Sequence, residues 1–208
     1  MLRFDQLAQA QAPDAPFRHV VGEALLGEGD RVRLAREFPD TDKVGFYPVE
    51  DLTYGPAFAE LLDDLASPAF SAAVGGKLGV DLTARPRMVV VRKWSALRDG
   101  RPHTDGPDKA ATALLYLNDD WDGAAGSLRY LEGPDLEGPG SPPVPARYGA
   151  FTAFARSECS WHGHPPFEGE RRVVQLFWLV DEAAAARKQR RHKRADFWKG
   201  LFPRRAVG

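Results

Sequence analysis

A few widely separated residues carry the chemistry this sequence offers first. His103 and Asp105 stand one residue apart in GRPHTDGP, residues 100–107. Side chains alternate faces along an extended backbone, so an imidazole and a carboxylate at i and i+2 point the same way there. The pair is two thirds of a metal site, or a solvated turn in which a loop histidine bonds a turn aspartate. Candidates for a third ligand are His162 and His164, in SECSWHGHPPFEGERR. Two imidazoles and one carboxylate on one face of an octahedral ion leave three positions open. That suits non-haem Fe(II), which must hold a bidentate co-substrate and O2 together. A 2-oxo acid chelated there extends its distal carboxylate into the protein, where an unpaired charge is costly. Arg171 follows His162 by nine residues, and a guanidinium grips a carboxylate through two parallel hydrogen bonds.

Ligands so far apart need a rigid frame. From about residue 86 the chain reads as short strands: RMVVVRKW, TALLYLN (112–118), SLRYL (127–131), RYGAFTAFA (147–155) and RRVVQLFWLV (171–180). The connections, such as NDDWDGAAG and EGPDLEGPGSPPVP, are rich in Gly, Pro and Asp. Short strands with turn chemistry between them predict an antiparallel sandwich or jelly roll, in which a late strand brings a distant histidine opposite the His-x-Asp pair. Earlier in the chain, FRHVVGEALL (17–26) reads as a strand running into a turn and GEGDRVRLAREFP as a helix. PAFAELLDDLA and PAFSAAVGGKL read as two more helices, each with Pro in its first turn, where a missing N–H costs little. The expected fold is mainly β with flanking helices. The expected organisation is a single domain over 1–180, with a helical layer over about 1–85 and the core over about 86–180, followed by a basic helical segment over 181–208.

Composition narrows the class. A chain of 208 residues with 43% hydrophobic and 11% aromatic residues can build a substantial core. Cys159 is the one cysteine, so neither an intrachain disulfide nor a cysteine-based zinc site is available. No apolar leader and no uncharged membrane-length stretch is visible, which points to a reducing cytoplasm. The charge is uneven: residues 181–208 hold nine Lys or Arg against three acids, a net of +6, leaving −7 on the remainder of a chain whose total is −1. The default for such a run is a solvated helix. A peripheral membrane-surface helix comes next, since Phe197, Trp198, Leu201 and Phe202 interleave with Lys199, Arg204 and Arg205. No nucleic-acid partner is expected, because stacking on a basic groove needs more than a tail.

PHTD, TALLYLNDDWDG, WHG and GERR stand in the order and spacing of the Fe(II)/2-oxoglutarate-dependent dioxygenases, and residues 86–180 resemble the prolyl-4-hydroxylase-like branch of that superfamily. The resemblance implies a double-stranded β-helix (jelly-roll, cupin-like) core. It implies that His103, Asp105 and His162 bind iron, and that Arg171 pairs with the 5-carboxylate of 2-oxoglutarate. The family spacing favours His162 over His164, which is then expected at the surface. The activity implied is hydroxylation of a peptidyl or small-molecule substrate, with O2 and 2-oxoglutarate consumed and succinate and CO2 produced. Two positions depart from the family pattern: Ala125-Gly126 replaces a Gly pair, and Trp94 stands where a co-substrate-binding Tyr is common.

Readings from other classes remain at this point. One is a non-catalytic jelly-roll module that binds a sugar or protein partner, which a lost ligand or lost Arg171 would signal. Another is a cupin-type isomerase or hydrolase using a different metal. Asp119, Asp120 and Asp122 lack the spacing and terminal Glu of a calcium loop and read as a solvated turn. Cys159 is expected as a small buried hydrophobe, and Arg172 is expected to face away from Arg171 toward solvent.

Overall fold

A computed structural model describes residues 1–190. Six strands form one antiparallel sheet: β1 (His19–Gly22), β2 (Tyr47–Pro48), β3 (Arg87–Ser95), β4 (Lys109–Tyr116), β6 (Phe151–Ala155) and β8 (Gly169–Leu179), in the order β1-β6-β4-β8-β3-β2. The short strands β5 (Arg129–Leu131) and β7 (Trp161–Gly163) form a second antiparallel sheet. Isolated bridges widen it, joining His103 to His162, Leu128 to Val144 and Leu131 to Gly140.

The long strand β8 shows why its sequence is nearly continuous in apolar residues. Both faces of the large sheet are covered, so neither set of alternating side chains needs to be polar. Val174, Leu176 and Trp178 join the core on the helical side, whereas Val173 packs with Tyr116, Tyr130 and Phe154 between the two sheets. Arg171, Gln175 and Phe177 share the phase of Val173 and line a cavity there. Two polar residues inside an apolar alternation are therefore the sign that this face serves something other than packing.

The helical side is built as its sequence dictates. After α1 (Phe4–Gln9) and α2 (Arg31–Glu37), helix α3 (Pro56–Ala66) buries Ala57, Phe58, Leu61 and Leu65, a one-face spacing. Helix α4 (Pro68–Leu78) is capped by Ser67, whose side chain accepts from the Phe70 amide at 3.1 Å, and ends at Gly79 in the left-handed conformation. Phe70 stacks on Trp178 with centroids 5.9 Å apart, and the Trp178 indole donates to Ser71 Oγ at 3.0 Å. These contacts fix the back of β8.

Helices begin and end at 56–66 and 68–78 as the Pro signals predict. The segment from 27 gives a short 3-10 turn and then a helix over Arg31–Glu37. The N-terminal layer is not purely helical, since β1 and β2 pair with β6 and β3 and extend the large sheet. The helix over Phe4–Gln9 and the strands β2 and β7 escape sequence reading because two to six residues hold too little periodicity. A last helix begins at 182 and buries Ala184 against Phe177 and Leu179. The aromatic and basic positions proposed for a membrane surface, Phe197 to Arg205, lie outside the described residues. Among the described residues no helix is long and apolar enough to cross a membrane.

Candidate metal centre

The first contact between the distant ligands is made by backbone. Strand β7 pairs on one edge with β5, placing Tyr130 opposite His162, and its other edge takes up His103. The amides of His103 and His162 each donate to the other's carbonyl at 3.0 Å. Residues exchanging both bonds in an antiparallel pair carry their side chains on the same face, and the two imidazole centroids are 4.4 Å apart. Close approach requires Gly163: a Cβ there would lie 2.7 Å from the Gly100 carbonyl oxygen. Asp105 completes the group, and the ligand atoms of His103, Asp105 and His162 all lie within 4.8 Å of one another.

The imidazoles are oriented for ligation. His103 Nδ1 lies 2.9 Å from the Arg101 carbonyl oxygen, and His162 Nδ1 lies 3.0 Å from that of Ser160. A proton held on each Nδ1 leaves each Nε2 lone pair free for a cation. Burial pushes the pKa of His162 down to about 4, against the opposing pull of Asp105, so its ring is neutral at pH 7. Asp105 is buried, with Oδ1 2.5 Å from Lys109 Nζ and Oδ2 2.5 Å from Thr112 Oγ1. Burial opposes its ionisation, but Lys109, His162 and Thr112 together hold its pKa below the ordinary aspartate value. Each oxygen still has a second lone pair, so the carboxylate can accept from these donors and ligate as well. Lys109 is desolvated in turn, down to about 8, and its ammonium lies 3.7 Å from the centroid of Phe177.

Arg171 stands in the same cavity, 2% exposed. Its Nε donates to the Gly126 carbonyl at 2.8 Å and Nη2 to the Tyr116 hydroxyl at 3.3 Å. No carboxylate among the described residues forms a salt bridge with it. A buried guanidinium without a counterion is an unfinished interaction that an anion completes. Gly126 sits at φ +72, and a Cβ there would meet the Trp121 ring at 2.6 Å. Of the departing Ala125-Gly126 pair, the glycine that holds Arg171 is thus the one retained.

Several residues around the site were not legible in sequence. Asn118 of the YLN segment accepts from the Arg172 amide at 2.6 Å and donates to the Ala146 and Arg172 carbonyls, tying the end of β4 to the start of β8. Trp94 does not enter the cavity. Its indole donates to the Thr41 carbonyl at 2.7 Å, because the β3–β8 register shifts between Arg92 and Trp94; Arg92 faces the cavity instead. His164 is not at the surface: it is buried, lines the cavity, and has its pKa lowered to about 4 by burial and by Arg171. Cys159, expected inside, is exposed in the turn before β7. Arg172 does face away from Arg171, but onto the helical layer, where it bonds Glu170 and the Ala35 carbonyl. Asp119, Asp120 and Asp122 are exposed. The cavity holding His103, Asp105, His162 and Arg171 has a volume of about 380 Å³.

No family model matches the sequence, and no curated protein matches it. Solved structures do resemble the fold. A prolyl 4-hydroxylase from Phytophthora capsici superposes with a TM-score of 0.56 at 19% identity, over 86% of this chain and 66% of that one. An oxidoreductase of the 2OG-Fe(II) oxygenase family from Burkholderia pseudomallei gives 0.51 at 15% identity, over 77% and 84%. HygX from Streptomyces hygroscopicus, solved with nickel and 2-oxoglutarate bound, gives 0.51 at 17% identity, over 78% and 82%. The chain therefore has the jelly-roll fold of the 2-oxoglutarate oxygenases, with its helices on the outer face of the large sheet.

Proposed function

We propose that this protein is an Fe(II)- and 2-oxoglutarate-dependent oxygenase that hydroxylates a small-molecule or peptidyl substrate. One observation carries the reading: His103, Asp105 and His162 converge in a cavity that also holds a buried Arg171 with no carboxylate partner among the described residues. The donor set fits the ion. Two Nε2 atoms and one carboxylate oxygen match the preference of ferrous iron for imidazole and carboxylate, with positions left open. When bound, the metal supplies the redox chemistry with O2 that amino-acid side chains lack.

The chain's own share is positional. His103 and His162 offer lone pairs whose direction is set by the Arg101 and Ser160 carbonyls. Asp105 supplies the negative charge, and its geometry is set by Lys109 and Thr112. Arg171 receives the 5-carboxylate of 2-oxoglutarate, and the Tyr116 hydroxyl, which accepts from its Nη2, helps to hold the guanidinium in place. The apolar walls from Val90, Leu114, Leu128 and Phe177 exclude water, which strengthens these charge interactions. In the net reaction 2-oxoglutarate and O2 are consumed, succinate and CO2 leave, and the substrate gains a hydroxyl group. A binding module without chemistry would give Arg171 and the two Nε2 atoms no role. A metal isomerase or hydrolase without a dicarboxylate would likewise leave Arg171 unanswered.

One apolar core includes residues from Leu7 to Trp178, which supports reading 1–180 as a single domain. With one cysteine and hence no intrachain disulfide, a cytoplasmic address is the simplest. Anaerobic titration of the protein with Fe(II) and 2-oxoglutarate tests the activity. A weak metal-to-ligand charge-transfer band should appear in the wild type and be absent from His103→Ala, which should keep the wild-type circular dichroism because His103 is exposed. Full 2-oxoglutarate turnover by His103→Ala would refute the reading.

A further inference from the structure

Arg92 is a charged cavity residue that the proposed reaction leaves without a task. It sits on β3 opposite Val173 of β8 and lines the same cavity as Arg171 and the metal ligands. Its side chain is 8% exposed. One end of the guanidinium is held: Nη1 pairs with Asp99 Oδ2 at 3.0 Å and donates to Ser95 Oγ at 3.4 Å. Its plane lies over Phe46, 4.2 Å from the ring centroid. Nε is buried with no hydrogen-bond partner among the described residues. Held in this way, the group cannot swing to solvent, and its remaining donors form a rigid fork of the shape that carboxylates match. His164, on the same cavity, has Nδ1 engaged with the Pro165 carbonyl at 2.9 Å, so its Nε2 is an acceptor and offers no hydrogen bond to an anion.

The charge count points the same way. With Lys188 left out of the count, Arg92, Lys109 and Arg171 line the cavity against one lining carboxylate, Asp105. A divalent cation and doubly charged 2-oxoglutarate cancel. Even with Asp99 counted against Arg92, the cup keeps surplus positive charge, and an occupant of opposite sign is favoured. The co-substrate's far carboxylate is met by Arg171 and its oxo-acid end by the metal, so Arg92 is left for the other guest.

We propose that Arg92 is a second anion subsite that takes the carboxylate of a small organic-acid substrate such as a free or N-acylated amino acid. This rests on the oxygenase reading. Full-length protein loaded with Ni(II) in place of iron, and with 2-oxoglutarate, is titrated calorimetrically with a panel of L-amino acids and N-acetyl amino acids, each beside its carboxamide. Members of the acid series should bind and their carboxamides should not. Arg92→Met should weaken acid binding by about tenfold or more, with Arg92→Lys intermediate, while 2-oxoglutarate affinity stays within about twofold of wild type. That retained co-substrate affinity also shows that the variant is folded.

If Arg92→Met weakens 2-oxoglutarate as strongly as Arg171→Met does, Arg92 belongs to the co-substrate and the proposal is overturned. Equal binding of acids and carboxamides, or no binding of any acid to the wild type, overturns it without recourse to a variant. Failure of 2-oxoglutarate itself to bind the wild type defeats the oxygenase reading. Co-substrate binding without acid binding defeats only the second subsite.

Discussion

Arg171 is nearly inaccessible, and its neighbours are a carbonyl and a hydroxyl rather than a carboxylate. Removing one partner of a buried, hydrogen-bonded charge pair costs about 2–5 kcal/mol. Arg171→Ala should therefore raise the dissociation constant for 2-oxoglutarate by roughly 30-fold or more, and Arg171→Lys should restore part of the loss by charge without the fork. Calorimetry on the metal-loaded protein measures both; an unchanged constant would detach Arg171 from the co-substrate. At this scale much was legible: His-x-Asp, the later histidine and the arginine nine residues on are visible as types and spacings. The surroundings were not. Lys109 and Thr112 on Asp105, and Tyr116 on Arg171, become neighbours only when β4 lies beside β8.

At the scale of elements, the site depends on where β8 begins relative to β4. Asn118 sets this through its bonds to the Arg172 backbone, which are part-buried, and to the Ala146 carbonyl, which is buried. Asn118→Ala leaves the Arg172 amide and the Ala146 carbonyl without the side chain that satisfies them, whereas the Arg172 carbonyl keeps the Leu117 amide; each lost partner costs about 1–3 kcal/mol where buried. The expected result is a loss of about 2 kcal/mol in chemical denaturation, together with weaker 2-oxoglutarate binding because the start of β8 loosens under Arg171. Wild-type stability in the variant would contradict the clamp. The helices α3 and α4 were readable to the residue because proline in the first turn is a local signal. Strand β7 was not, since a three-residue strand has no periodicity of its own and exists through its partners β5 and His103.

For the whole molecule, burying two imidazoles in one cavity ties stability to pH. His162 and His164 are both held down to about 4 by burial, whereas in the unfolded chain they titrate near 6.5. Between those values the unfolded state binds more protons than the folded one, so stability is full above about 6.5 and is lost as pH falls toward 4. Asp105, with its pKa lowered, acts in the same direction at lower pH. The metal-free protein should therefore melt roughly 10 °C lower at pH 5 than at pH 7.5, and added divalent metal at the higher pH should raise the midpoint by mass action. Differential scanning calorimetry decides; a midpoint flat across that range would mean the two rings are not buried in neutral form.

The sequence by itself determined the kinds of group available, the helices with their caps, the strand-rich second half and the order in which the ligands occur. All of these are written in residue type and short-range spacing. The tertiary structure alone decided which face each group took. A register shift in β3 sends Trp94 outward and leaves Arg92 in the cup, a backbone bridge brings His103 to His162, and the turn before β7 exposes Cys159 while His164 goes inside. The physical reason is that facing and burial are set by strand partners dozens of residues away, and no local pattern encodes which partner a strand will find.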